Sequence, residues 1–188
     1  MYHIANDLRA KKSALAICKG LSECLEEKPL SEIKINDIYH KCSVSRSTFY
    51  RLFDSLEDVL SFECDSILDD TDSALELMQF KSKNEEVMYC IKRWLKNKTI
   101  LKTIVDNRMI GVLQDSFLRK SNRFKLLYPI YYENESQFKS FVSTFVSLIY
   151  AALNVYFESN SDETIESVVK FVCSNTETII NQWRNAVK

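Results

Sequence analysis

The stretch Ile33-Lys34-Ile35-Asn36-Asp37-Ile38-Tyr39-His40-Lys41-Cys42-Ser43-Val44-Ser45-Arg46-Ser47-Thr48-Phe49-Tyr50-Arg51-Leu52-Phe53 decides how this chain folds. It reads as two very short helices, about Ile35 to Lys41 and Ser45 to Leu52, joined by a tight turn at Cys42-Ser43. Helices this short do not persist alone, because nucleation costs more than so few hydrogen bonds return. Neighbouring elements must therefore hold both. On a wheel of the second helix, Phe49 and Leu52 fall on one side with Phe53 close by, and Arg46, Ser47, Tyr50 and Arg51 fall on the other. One face anchors; the other offers guanidiniums, a hydroxyl and a phenol to the outside.

The anchors come from the flanks. A first helix is expected from about Asn6 to Glu26, with Leu8, Leu15, Cys18, Leu21 and Leu25 as its apolar stripe and Pro29 as its stop. Asp54 or Ser55 caps a fourth helix reaching about Met78, with Glu57 or Asp58 supplying the reciprocal contact. Ser82 with Glu85 opens another helix by the same device. A helix over about Thr99–Leu118 follows, then two long ones, about Ser136–Glu158 and Asp162–Arg184, the last opened by Asn160. Pro129 marks a break or kink in the stretch between them. With Gly 2 and Pro 2 in 188 residues, the chain lacks the turn residues that sheets lean on. The expected fold is all-α, with a helix-turn-helix domain over residues 1–54 and a helical domain over 55–188.

The outward chemistry of the second short helix suits a DNA major groove. Arginine can donate two parallel hydrogen bonds to guanine, and serine or threonine can bond several base edges. Tyrosine and hydroxyl side chains also hold phosphates, which fix register without reading sequence. Residues 1–53 carry nine Lys/Arg against six Asp/Glu, on a chain whose net charge is −1. A mildly basic head on an acidic body fits that use. A solvated polar face on a small helical domain explains the wheel equally well.

Residues 33–60 add a more specific signal. They resemble the signature of the TetR family of bacterial regulators, roughly I-T-V-x-D-I-A-x-x-A-G-V-S-x-x-T-F-Y-x-Y-F-x-S-K-E-D-L-L. Ile33, Asp37, Ile38, Val44, Ser45, Thr48, Phe49, Tyr50, Phe53, Ser55, Glu57, Asp58 and Leu60 stand in register with it. The resemblance implies base reading by Arg46 and Ser47, further DNA contacts from Thr48 and Tyr50, and phosphate contacts from Arg51 and Asn36. Four departures from the pattern matter. Ser43 replaces the turn glycine, Tyr39 a small residue, Lys34 the threonine cap and Leu56 a lysine. These departures bear on DNA affinity and not on the apolar scaffold.

The closing helices have wide apolar faces. Phe141, Phe145 and Ala152 on one, and Val168, Val172 and Ile179 on the other, exceed the single stripe that a monomer would bury. The resemblance implies that these helices pair with their copies in a homodimer; a pair of fully internal core helices is the alternative. It also implies a small-molecule inducer among the middle helices. Tyr89, Trp94, Met109, Phe117, Phe124 and Tyr128 are the candidate lining, and the same spacing also describes plain core.

Other functions find little support. Only two histidines are present, and His40 and Cys42 do not share a helix face, so no catalytic dyad or metal set forms. Gly20 and Gly111 stand apart, so there is no phosphate loop. The reading is a DNA-binding repressor, not an enzyme, with no cofactor. Its partners are duplex DNA and a second copy, without a membrane. Ser140–Phe157 is uncharged and nearly long enough to span a bilayer, but its serines and asparagine fit a helix buried on several sides better. The start is broken by Asp7, Arg9, Lys11 and Lys12, so no secretory signal is read and a cytoplasmic location is expected. The six dispersed cysteines read as core residues, with thiol sensing as a lesser possibility. The main alternative function is a helical interaction module of the same fold that no longer binds DNA.

Overall fold

The computed structural model describes residues 2–4, 7–120, 134–158 and 165–186, with side-chain surroundings as far as Asn181. In chain order the helices are α1 Leu8–Glu27, α2 Ile35–Lys41, α3 Arg46–Leu52, α4 Leu56–Leu75, α5 Lys83–Trp94, α6 Lys98–Asp106, α7 Ile110–Arg119, α8 Glu135–Glu158 and α9 Ile165–Ala186. No strand occurs among the described residues. The chain forms two compact units, Met1–Ser66 and Ile67–Lys188, so the division falls inside α4 and not at residue 54. The reason is local: Val59, Leu60 and Cys64, in the first half of α4, are buried with the first unit.

In the first unit α1 packs on α2 and α3. Its buried stripe is Ala10, Ala14, Ile17, Cys18, Leu21 and Cys24. Leu8 and Leu15, expected in the stripe, are 77% and 55% exposed. Ala10, Ala14 and Gly20 are turned inward instead, and α2 comes close at Gly20. A Cβ on Gly20 would lie 3.1 Å from Ile38 Cγ2 and 3.3 Å from the Ile38 carbonyl oxygen. Phe49, Leu52 and Phe53 close this core, with Phe49 and Phe53 rings 5.8 Å apart. The expected Ser55–Asp58 cap forms: the Asp58 N–H donates to Ser55 Oγ at 3.2 Å, and Asp58 Oδ2 accepts from the Asp54 N–H at 3.0 Å.

In the second unit α8 packs on α6, α7 and α9, and α9 also packs on α5. The single helix expected over Thr99–Leu118 is two helices, broken at Asn107-Arg108-Met109. Arg108 adopts φ 56, the left-handed conformation that ends many helices. Its N–H donates to the Val105 carbonyl at 3.0 Å, and the Met109 N–H donates to that of Ile104 at 2.9 Å. This is a Schellman stop with arginine where glycine is usual. The uncharged helix α8 is the one described helix long and apolar enough to cross a membrane. Its apolarity has an internal use: Phe138, Phe141, Val142, Phe145, Val146, Ile149, Ala152 and Leu153 are buried in the unit. The expected break at Pro129 and cap at Asn160 lie outside the described residues.

Candidate nucleic-acid interface

The helix-turn-helix is built without a left-handed residue. Cys42 and Ser45 have extended backbones, φ −122 and −71, and the Cys42 N–H closes α2 on the Ile38 carbonyl at 2.9 Å. Among the described non-glycine residues only Arg108 has positive φ, so Ser43 stands in for glycine without strain. The start of α2 is secured in another way than by a threonine. Asp37 Oδ2 accepts the Lys34 N–H at 2.7 Å and the Lys28 ammonium at 2.6 Å. Lys28, and then the Lys34 N–H, hold the Asp37 carboxyl below its ordinary range.

Tyr39 does not turn outward. Its ring meets Phe49 edge-on, 6.1 Å between centroids, and its buried hydroxyl has no hydrogen-bond partner. Burial raises its phenol pKa. The ring thereby becomes part of the support for α3. Phe49 in turn meets the Tyr50 ring edge-on at 5.5 Å.

Above this aromatic base the outer face of α3 is exposed. Arg46, Ser47, Tyr50 and Arg51 face solvent, Thr48 is half-buried, and Asn36 is exposed on α2. Ser45 caps α3 by accepting the Thr48 N–H at 3.2 Å. Its hydroxyl also lies 3.0 Å from those of Ser47 and Thr48, so this hydroxyl cluster holds the helix start together. The Arg46 guanidinium sits 5.6 Å from the Tyr50 ring centroid, a cation–π arrangement.

Charge sharpens the picture. Lys28 pairs with Asp37, Lys41 with Glu27 and Lys19 with Glu23. Arg46, Arg51 and Lys34 make no ion pair among the described residues. Arg46 and Arg51 thus put two unpaired cations on α3 and Lys34 one at the start of α2, while Arg9 and Lys12 on α1 are likewise without an ion pair among the described residues. Lys34, which the sequence marks only as a replaced threonine cap, adds an exposed ammonium there that makes no ion pair, although Asp37 is its acidic neighbour.

The expected dimer residues lie elsewhere than at a free surface. Phe141, Phe145, Ala152, Val168 and Val172 are all buried within the protomer, and Ile179 is half-buried. The exposed residues of the same helices include Ser140, Thr144, Ser147, Ala151 and Val155 on α8 and Phe171, Ser174 and Thr178 on α9, where Glu166, Lys170 and Glu177 are exposed as well. Val155 and Phe171 are 50% and 44% exposed. Of the expected ligand set, Trp94 and Phe117 line a cavity of about 60 Å³ in the second unit. Tyr89 packs on Phe80 at 5.5 Å and accepts from Arg93 at 3.4 Å, away from that lining. Met109 belongs to the α6–α7 break, and Phe124 and Tyr128 lie outside the described residues. None of the six cysteines is in a disulfide. Burial pushes the thiols of Cys18, Cys24, Cys42 and Cys173 up, which is opposite to what a reactive thiolate needs.

These features define an all-α helix-turn-helix protein. No family model matches the chain. Its sequence is similar to the HTH-type transcriptional regulator EthR of Mycobacterium tuberculosis, 36% identical over 64 residues, 34% of this chain and 30% of that protein. The match thus spans under a third of that relative's length. Its structure is similar to Lin0861 from Listeria innocua, with TM-score 0.73 and 19% identity over 94% of this chain and 96% of that one. It is also similar to a TetR transcriptional regulator from Streptococcus agalactiae, with TM-score 0.58 and 19% identity over 88% of this chain and 94% of that one. The fold is that of the TetR-family transcriptional regulators.

Proposed function

We propose that this chain is a TetR-family transcriptional regulator that binds duplex DNA through α3 as a homodimer. The observation that carries the reading is the outer face of α3. Two guanidiniums without acidic partners and an exposed phenol stand there on a helix whose other face is locked by Phe49 and Leu52. Arg46 and Ser47 read base edges, Tyr50, Arg51 and Asn36 hold phosphates, and Thr48 serves mainly to fix the helix start. Two copies set their recognition helices one DNA turn apart, roughly 34–36 Å, on a near-palindromic operator. The exposed Ser140, Thr144, Ser147, Ala151 and Val155 of α8, with Phe171 on α9, support that pairing. A repressor acting in the cytoplasm and released by a small molecule in the second unit completes the reading.

The test is selection of bound sequences from random duplex DNA with wild type, Arg46→Ala and Tyr50→Ala. A near-palindrome should be enriched by wild type, weakened in both variants, and bound less tightly as salt rises. Failure of a folded, dimeric protein to enrich any sequence at low salt would overturn the proposal.

A further inference from the structure

The cavity in the second unit carries a chemical specification for its occupant. Its walls are almost wholly apolar, with Trp94, Phe117, Phe145, Leu68, Ile91 and Val172 among them. The Trp94 and Phe117 rings meet edge-on at 5.6 Å, and Phe117 meets Phe145 at 6.1 Å. The polar groups at its border are already engaged. Lys83 pairs with Glu86 at 3.3 Å, Lys120 pairs with Asp69 at 2.7 Å, and the Thr71 hydroxyl donates to the Ile67 carbonyl at 2.7 Å.

One donor is left over. Among the described residues, the buried side-chain polar atoms without a hydrogen-bond partner are Tyr39 Oη, Glu63 Oε2 and Trp94 Nε1. Of these residues only Trp94 lines the cavity. A buried donor left unmade costs on the order of 1–3 kcal/mol, and whatever supplies an acceptor recovers it. An anion would need a free cation in the wall, and Lys83 and Lys120 are paired; a cation would need a free carboxylate, and of those in the lining Glu86 is paired and Asp72 is also engaged. Burying an unpaired charge among aromatic and aliphatic walls is strongly unfavourable.

We propose that the second unit binds a small uncharged molecule with an apolar body and one hydrogen-bond acceptor, such as a ketone or ester oxygen, set on Trp94 Nε1. This deepens, and rests on, the proposed ligand-responsive role of that unit. The space is well below the roughly 300–1,000 Å³ of drug-sized sites and below the roughly 150 Å³ that holds benzene, so even a one-ring ligand must part the helices slightly to enter.

The probes are acetophenone, its hydrocarbon isostere α-methylstyrene, and benzoate, titrated into the full-length protein without DNA. Two indole N–H signals are available, since the chain has two tryptophans. Acetophenone should bind saturably and move the Trp94 indole proton downfield. α-Methylstyrene should bind without that shift, and benzoate should bind at least tenfold more weakly than the ketone. In Trp94→Phe the ratio of ketone to hydrocarbon affinity should fall about tenfold; taking the ratio cancels their different hydration. The inference is overturned by no saturable binding, by binding that leaves the Trp94 signal unmoved, by an unchanged ratio in Trp94→Phe, or by equal binding of benzoate. The wild-type indole shift stands as a test even if the variant folds poorly. Because DNA is absent from the titration, failure here leaves the DNA reading intact, and failure of operator selection leaves ketone binding to be read on its own.

Discussion

Arg46 lies over Tyr50: the guanidinium carbon is 5.6 Å from the centre of the phenol ring, one helical turn away on α3. The two side chains proposed to touch DNA therefore hold each other in its absence. The contact limits the rotamers of a long side chain that would otherwise lose entropy on binding. Tyr50 is itself steadied by Phe49, which is fully buried and braced by Tyr39.

The first prediction follows from that chain of contacts. Arg46→Ala should cost about 1–3 kcal/mol of discrimination at one operator base pair. Arg46→Lys should not restore it, because an ammonium lacks the paired donors of the guanidinium. Arg51→Ala should weaken binding similarly on all sequences and lower the salt slope by about 1. Fluorescence anisotropy on matched and mismatched duplexes at several salt concentrations checks all three. Folding stability should hardly change, since both arginines are exposed.

The α3 face was legible in the sequence because two constraints coincide there. Phe49 and Leu52 must be buried, so Arg46, Tyr50 and Arg51 have nowhere to go but out. Where one constraint acted alone, the reading slipped. On α1 the large residues Leu8 and Leu15 suggested a buried stripe, but they are exposed and Ala10 and Ala14 are buried, while α2 approaches closely at Gly20. Apolar width marked α8 and α9 as heavily covered helices. It could not say whether the cover comes from this chain or a second one, and for Phe141, Phe145 and Val172 it comes from this chain.

Glu63 gives a pH prediction. It lies on α4 with Oε2 shut off from solvent and unpartnered, and burial raises its carboxyl from 4.5 to about 7 despite a hydrogen bond from Ser22. The folded state therefore keeps a proton that the unfolded chain gives up between about pH 4.5 and 7. Stability falls as pH rises through that window, by up to about 3 kcal/mol, and is flat below it. Glu63→Gln, which can still accept from Ser22, should remove this slope and stabilise the protein above pH 7. Urea unfolding at pH 4, 6 and 8 decides it; a wild-type slope that survives in Glu63→Gln assigns the effect to another group.

The break between α6 and α7 escaped the sequence because its signal residue is absent. A Schellman stop normally shows itself by glycine, and here Arg108 occupies the left-handed position. An L residue with a Cβ pays about 1 kcal/mol there. Arg108 is exposed. Arg108→Gly should accordingly stabilise the protein by up to about 1 kcal/mol, while Arg108→Val should destabilise it by more than that gain. Thermal and denaturant unfolding of both variants would show opposite signs; two shifts of the same sign would mean that the left-handed conformation is not what limits stability at this site.

The last prediction separates the two kinds of apolar residue on α8 and α9. Ala151 and Phe171 are exposed on the protomer, whereas Phe145 is buried beside Phe117. If a second copy covers the outer faces, Ala151→Glu and Phe171→Glu each put an unpaired charge into the dimer interface and none into the protomer core. Sedimentation velocity should then show monomers with unchanged helical content, and operator binding should weaken because one protomer supplies only one recognition helix. Phe145→Glu should instead unfold the second unit whatever the oligomeric state, since its charge has no route to water. Dimers that persist at low micromolar concentration in both Ala151→Glu and Phe171→Glu would move the proposed interface away from these faces, because two unpaired charges at a helix–helix seam cannot be absorbed without separating it.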